Sequence, residues 1–131
     1  MEIDMVLEDL IRSKYIDAIH YNQDRSIAME LFHDTFKLYI KTGNEVEAIS
    51  LSQWFDRVER SINDDKFDPE VQTTCEFINI DVLDQMAYIK MKLFRNDTYF
   101  GTDMILLYFV NGLWKIVCKT FQTATKSLLQ T

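Results

Sequence analysis

Apolar positions along the first twenty residues recur at steps of three and four: Ile3, Leu7, Leu10, Ile11, Tyr15, Ala18 and Ile19. That spacing predicts a long amphipathic helix, and Glu2, Asp4, Glu8 and Asp9 near its start suit the positive end of the helix dipole. The polar run YNQD closes it. Asp24 is positioned to cap a second, shorter helix that would bury Ile27, Ala28, Leu31 and Phe32.

Beyond Phe36 the period changes to two. Phe36, Leu38 and Ile40 alternate with Lys37, Tyr39 and Lys41, Thr42-Gly43-Asn44 supplies a turn, and EVEAIS reads as the returning strand. Ser50 with Gln53, or Ser52 alone, can cap a third helix built on Trp54, Phe55, Val58 and Ile62. NDDKFDP ends that helix. The remainder reads as a meander of strands, TTCEFINIDV, MAYIKMKLFR and the hairpin DMILLYFVNGLWKIVCKTFQ, with Ala87, Ile89, Met91 and Leu93 on one face and Lys90 and Lys92 on the other.

Asn111-Gly112 sets the hairpin register, because a two-residue type I′ turn requires positive φ at both positions. A continuous ladder from that turn pairs Val110 with Leu113, Tyr108 with Lys115, Leu106 with Val117 and Met104 with Lys119 on one face. The other face then holds Phe109 with Trp114, Leu107 with Ile116, Ile105 with Cys118 and Asp103 with Thr120. Both faces are apolar near the turn. Three helices cover one face of a sheet and leave nothing for the second, so a homodimer through the sheet is expected, with Ile105, Leu107, Phe109, Trp114, Ile116 and Cys118 at its interface; the alternative is a sheet that curls so strongly that loops shield its back.

Composition narrows the partners. With 131 residues, 47% hydrophobic and with only 3 Gly and 1 Pro, the chain is expected to fold as one domain spanning 1–131. A formal charge of -7 argues against nucleic acid, whose backbone recruits clustered Lys and Arg. The acids are unevenly distributed, for none follows Asp103. Cys75 and Cys118 stand alone, without C-x-x-C spacing, and are expected as reduced core thiols. The acidic, helix-patterned start lacks the basic and apolar segments of a secretory signal, and no apolar run is long enough to cross a membrane. A cytoplasmic setting is the expectation.

The order helix, helix, hairpin, helix and long meander ending in NGLWKIVCKTF resembles the nuclear transport factor 2-like (cystatin-like) superfamily. Within it the chain is most similar to the family named "putative lumazine-binding", whose relatives include polyketide-cyclase-like proteins and ketosteroid isomerases. The resemblance rests on YIDAI followed by Asp24, LFHDTF, LSQWF and TDMILLYFVNGLWKIVCKTF, from about Leu7 to Thr123. It implies an α+β fold with three helices, in which a cone-shaped, strongly curved antiparallel sheet wraps the long N-terminal helix. It also implies a pocket in the open end and a dimer across the sheet. Carried over from ketosteroid isomerases, the oxyanion-hole tyrosine falls on Tyr15, the general base on Ile40 and the second oxyanion acid on Leu106. Ile40 and Leu106 move no protons, so that isomerase mechanism is not expected.

The pocket face implied by the resemblance carries Met104, Leu106, Tyr108, Val117, Lys119 and Phe121, joined by Tyr15, His33 and Trp54. A lysine inside an apolar cone must be paired or deprotonated, so Lys119 is expected either to anchor a carboxylate or enolate or to neutralise a buried acid. His33 stands in the family's Phe-His-Pro-Asp segment, here without its proline. It is a candidate acid or base if it is not simply a histidine at a helix C-terminus. Tyr15, His33 and Lys119 are therefore the catalytic candidates, for lyase, isomerase or cyclase chemistry on a small organic ligand. No metal-binding His pair or phosphate-cradling Gly loop is present, so neither metal nor cofactor is expected. The alternative is a non-catalytic association module with a filled cone.

Overall fold

The computed structural model describes residues 3–21, 25–62 and 71–124. Helix α1 (Ile3–Leu10) runs on into a π-helical stretch (Ile11–Tyr21), and Leu7 of the first with Ile11 and Tyr15 of the second, each four apart, share the buried side. Helix α2 (Arg25–Leu31) follows; Asp24, expected to cap it, and the segment 63–70 lie outside the described residues. Strand β1 (Phe32–Thr42) begins at once, so Phe32 is buried from a strand and not from the end of a helix. Strand β2 (Glu45–Ser50) returns through the Gly43 turn.

Helix α3 (Leu51–Ile62) opens on a reciprocal cap. The Ser50 amide donates to Gln53 Oε1 at 2.8 Å, and the Gln53 amide donates to Ser50 Oγ at 3.2 Å. Strands β3 (Thr73–Leu83), β4 (Met86–Arg95), β5 (Thr98–Val110) and β6 (Leu113–Thr123) complete the meander. Strand β5 starts five residues before Asp103, behind an Asn96-Asp97 turn in which both residues have positive φ.

The sheet order is β2-β1-β6-β5-β4-β3, antiparallel except for the β1–β6 pair, which is parallel. The sheet is curved and open, and its inner face packs on the helices. Phe36, Leu38, Ile89, Met91, Ile105, Leu107 and Ile116 meet Leu7, Ile11, Tyr15, Leu31, Trp54 and Phe55 in one buried cluster. Strand β4 divides as its alternation requires, with Ala87, Ile89, Met91 and Leu93 inside. Among the described residues no helix is long and apolar enough to cross a membrane.

Candidate functional site: a buried tyrosine, aspartate and lysine

The site depends on how β5 and β6 leave their turn. Asn111 and Gly112 take φ of 52° and 81°, and the first four pairs, Val110–Leu113 to Leu107–Ile116, are those of a type I′ hairpin. Val117 then has no opposite number. Past this bulge Leu106 faces Cys118, Ile105 faces Lys119, Met104 faces Thr120 and Asp103 faces Phe121. One extra residue in a strand turns every later side chain to the other face. Lys119 therefore shares the inner face with Ile105 and Asp103.

This corrects the expected faces. Ile105, Leu107 and Ile116 lie in the core under the helices and cannot form a dimer interface, whereas Met104 and Tyr108 are exposed and Leu106 and Val117 half-buried. Cys118 is half-buried beside Leu106, and Phe109 and Trp114 pack together past the end of the core, with ring centroids 5.3 Å apart. Because both hairpin faces are apolar near the turn, alternation alone does not say which one faces inward. The packing of helix one and the Val117 bulge decide it.

Inside, one carboxylate oxygen serves two partners. Tyr15 Oη donates to Asp103 Oδ2 at 2.7 Å, and Lys119 Nζ stands 3.3 Å from the same atom. Tyr15, Asp103 and Lys119 are 0%, 3% and 5% exposed. The ammonium also sits 4.5 Å from the Trp54 ring centroid, 4.9 Å from that of Tyr15 and 5.6 Å from that of Phe121, so ring faces surround what the carboxylate leaves open. Burial pulls the Lys119 ammonium below its ordinary value of 10.5, against the opposing pull of Asp103. Burial likewise holds the Tyr15 phenol well above 10.0, reinforced by the charge of Asp103 and the hydrogen bond to it. Such a centre can hold a proton on oxygen, present a fixed positive charge and resist ionisation of the phenol.

Trp54 and Phe121 join Tyr15 and Lys119 as expected pocket residues that the structure brings together, while Met104, Leu106 and Tyr108 point away from them. His33 lies on β1 and not at a helix end. Its Nδ1 pairs with Thr35 Oγ1 at 2.8 Å and accepts the Thr35 amide at 3.2 Å. Tyr88 is half-buried opposite Leu106, and Tyr99 packs on Phe94. Asp103 is the member that sequence reading did not place. Its signals were its position as the last acid of the chain and the need of an interior lysine for a counter-charge.

Aromatic rings occupy the cone around this centre. Phe32, Phe36, Trp54 and Phe55 are linked by centroid separations of 4.8 to 6.2 Å, with Trp54 and Phe55 stacked at 12°. Among the cavities bordered by described residues, three lie elsewhere. One of about 790 Å³ runs between the first turns of α1 and the β5–β6 hairpin, and one of about 310 Å³ lies by Lys90, Met104 and Phe121. The third, about 650 Å³, lies between helix one and the edge strand β3. On its wall Arg12 caps the Phe77 ring at 4.9 Å and donates to the Cys75 carbonyl at 3.4 Å, and the buried Thr73 hydroxyl has no partner among the described residues. Cys75 and Cys118 are free thiols, each raised by burial. No group of His, Cys, Asp and Glu among the described residues could hold a metal ion.

The sequence profile of the family described as "Putative lumazine-binding" matches residues 2–122. The chain belongs to that family. Solved structures similar to this putative lumazine-binding family member include an NTF2-like protein of unknown function from Shewanella baltica OS155. It is 18% identical with a TM-score of 0.75, over 96% of this chain and 99% of the other. Another, from Silicibacter pomeroyi DSS-3, is 17% identical with a TM-score of 0.74, over 95% and 100% of the two chains. A protein with a cystatin-like fold from Nostoc punctiforme PCC 73102 is 9% identical with a TM-score of 0.68, over 96% and 95%. At these identities the likeness carries the nuclear transport factor 2-like fold. No curated protein matches the chain.

Proposed function

We propose that this protein binds a small, partly apolar organic molecule within the cone, with Tyr15, Asp103 and Lys119 as its polar anchor, once the Trp54 and Phe121 rings that cover Lys119 swing aside. The convergence of Tyr15 Oη and Lys119 Nζ on one buried carboxylate oxygen carries this reading. Packing alone favours hydrocarbon at such a position, because a buried ion pair seldom stabilises more than apolar residues of similar volume. A ligand oxygen with carboxylate or enolate character meets the Lys119 ammonium and the Tyr15 hydroxyl. Asp103 then takes, by way of the Tyr15 hydroxyl, a proton that the ligand gives up and returns it by the same route, which is acid/base lyase, isomerase or cyclase chemistry without a metal. The family's description and the stacked Trp54–Phe55 rings support a flat ligand. His33, engaged with Thr35, gives its expected place to Asp103.

A second reading is favoured by the aromatic packing: a non-catalytic association module whose cone is core. Thermal shift separates the two. Aromatic carboxylates and pteridine-2,4-dione are screened against wild type and against Asp103→Leu/Lys119→Met, which removes the polar centre in one step. The binding reading expects compounds that stabilise wild type and leave the double variant unmoved. If none stabilises wild type more than the variant, the filled-cone reading stands. The proposal extends to a homodimer through the outer face, supported by exposed Met86, Met104 and Tyr108, and to a cytoplasmic setting, supported by two free thiols. Light scattering at micromolar concentration that returned a monomer would contradict the dimer.

A further inference from the structure

The 790 Å³ groove at the hairpin end of the molecule is separate from the cone centre and has its own chemistry. Val6, Leu10, Leu31, Phe109, Leu113 and Trp114 make apolar walls. Leu113 is 58% exposed and Val6 38%, so water covers apolar surface there at a cost that an occupant would remove. The volume lies within the roughly 300–1,000 Å³ of pockets that take small organic molecules.

Its charges are separated. At one end Lys14 Nζ pairs with Glu30 Oε2 at 3.2 Å, and Lys115 Nζ donates to the Glu30 main-chain carbonyl. Among the described residues Lys115 has no carboxylate partner, so two ammonium groups face one carboxylate and one positive charge is left over. At the other end stands Asp84, in the β3–β4 turn. The register Lys115–Tyr108–Met86 puts that turn two strands away from Lys115. A groove with a cationic end, an apolar middle and an acidic far end fits a molecule with a single anionic head and an apolar tail, and disfavours a second anion on the tail.

We infer that this groove binds a hydrophobic monocarboxylate, an amphiphile of the medium-chain fatty acid type, with its head on Lys115 and its tail between Val6, Phe109 and Leu113. Octanoate is the probe, read by NMR at the Val6 and Leu113 methyls and the Trp114 indole. Saturable shifts confined to those groups are expected. Leu113→Asp, at an exposed turn position, weakens octanoate about tenfold or more. Lys115→Met weakens octanoate by a similar factor and leaves octan-1-ol unchanged, and octanedioate binds more weakly than octanoate. Asp103→Leu/Lys119→Met retains wild-type affinity, so failure here and failure of the cone reading are distinguishable. Equal binding by wild type and Leu113→Asp, shifts that do not saturate, or loss of binding in the cone double variant would overturn the inference. So would a dimer, seen by light scattering, that Leu113→Asp dissolves, because a second copy would then occupy the groove.

Discussion

Strands β5 and β6 are two different structures on either side of Val117. On the turn side the ladder is continuous, the lining is apolar, and Phe109, Leu113 and Trp114 border a groove open to water. On the far side the register has slipped by one, and the same two strands bury a lysine and an aspartate against a tyrosine. The unpaired residue between them does what no substitution within a regular hairpin does. It lets an apolar alternation continue while Lys119 moves from the outer face to the inner one, beside Asp103.

Deletion of Val117 is the most severe way to break that contrast. It restores a continuous ladder, turns Lys119 outward and leaves Asp103 buried without its cation, so loss of the cooperative thermal transition and of amide dispersion by NMR is expected. Next comes Lys119→Met alone, which strands the Asp103 charge. A loss of about 3–5 kcal/mol in urea denaturation is expected, by analogy with other broken buried pairs, and Asp103→Leu/Lys119→Met recovers most of it. A double variant as unstable as the single one would mean that the pair is not the cause.

Smaller effects follow from pH. Lys119 is lowered in the folded state, so between its folded value and 10.5 the unfolded chain holds a proton that the folded chain has released, and stability rises with pH in that window. Tyr15 is raised, so above 10.0 the folded chain keeps a proton that the unfolded chain gives up, and stability falls with pH. Cys75 and Cys118, raised from 9.0, add to the fall. Equilibrium unfolding followed against pH should lose the rising limb in Asp103→Leu/Lys119→Met and part of the falling limb in Tyr15→Phe. Tyr15→Phe also costs about 1.5–3 kcal/mol for a hydrogen bond to a charged group. Leu113→Asp, on the groove side, should change stability by less than about 0.5 kcal/mol, as exposed positions do.

The comparison also shows which features can be read from one chain. Local chemistry was legible: the Ser50/Gln53 cap, the Asn111-Gly112 turn and the division of β4 into Ile89 and Met91 inside, Lys92 outside, each follow from neighbouring residues. Family resemblance supplied the curved sheet around helix one. The start of β1 at Phe32 was not legible, because Leu31 and Phe32 suit a helix end equally well. The Val117 bulge was hidden for a related reason. Leu106, Leu107, Ile116 and Val117 are all apolar, so either register satisfies alternation, and the choice falls to Leu7, Ile11 and Tyr15 packing from far along the chain. Without the bulge Asp103 sat opposite Thr120, and its pairing with Lys119 stayed out of reach of any local pattern.

Cross-strand NOEs along β5 and β6 test the bulge most directly. The account predicts contacts from Ile105 to Lys119 and from Leu106 to Cys118, together with a Lys119 side chain within reach of the Tyr15 ring. A continuous ladder, with Met104 opposite Lys119 and Leu106 opposite Val117, would contradict it and return Lys119 to the outer face.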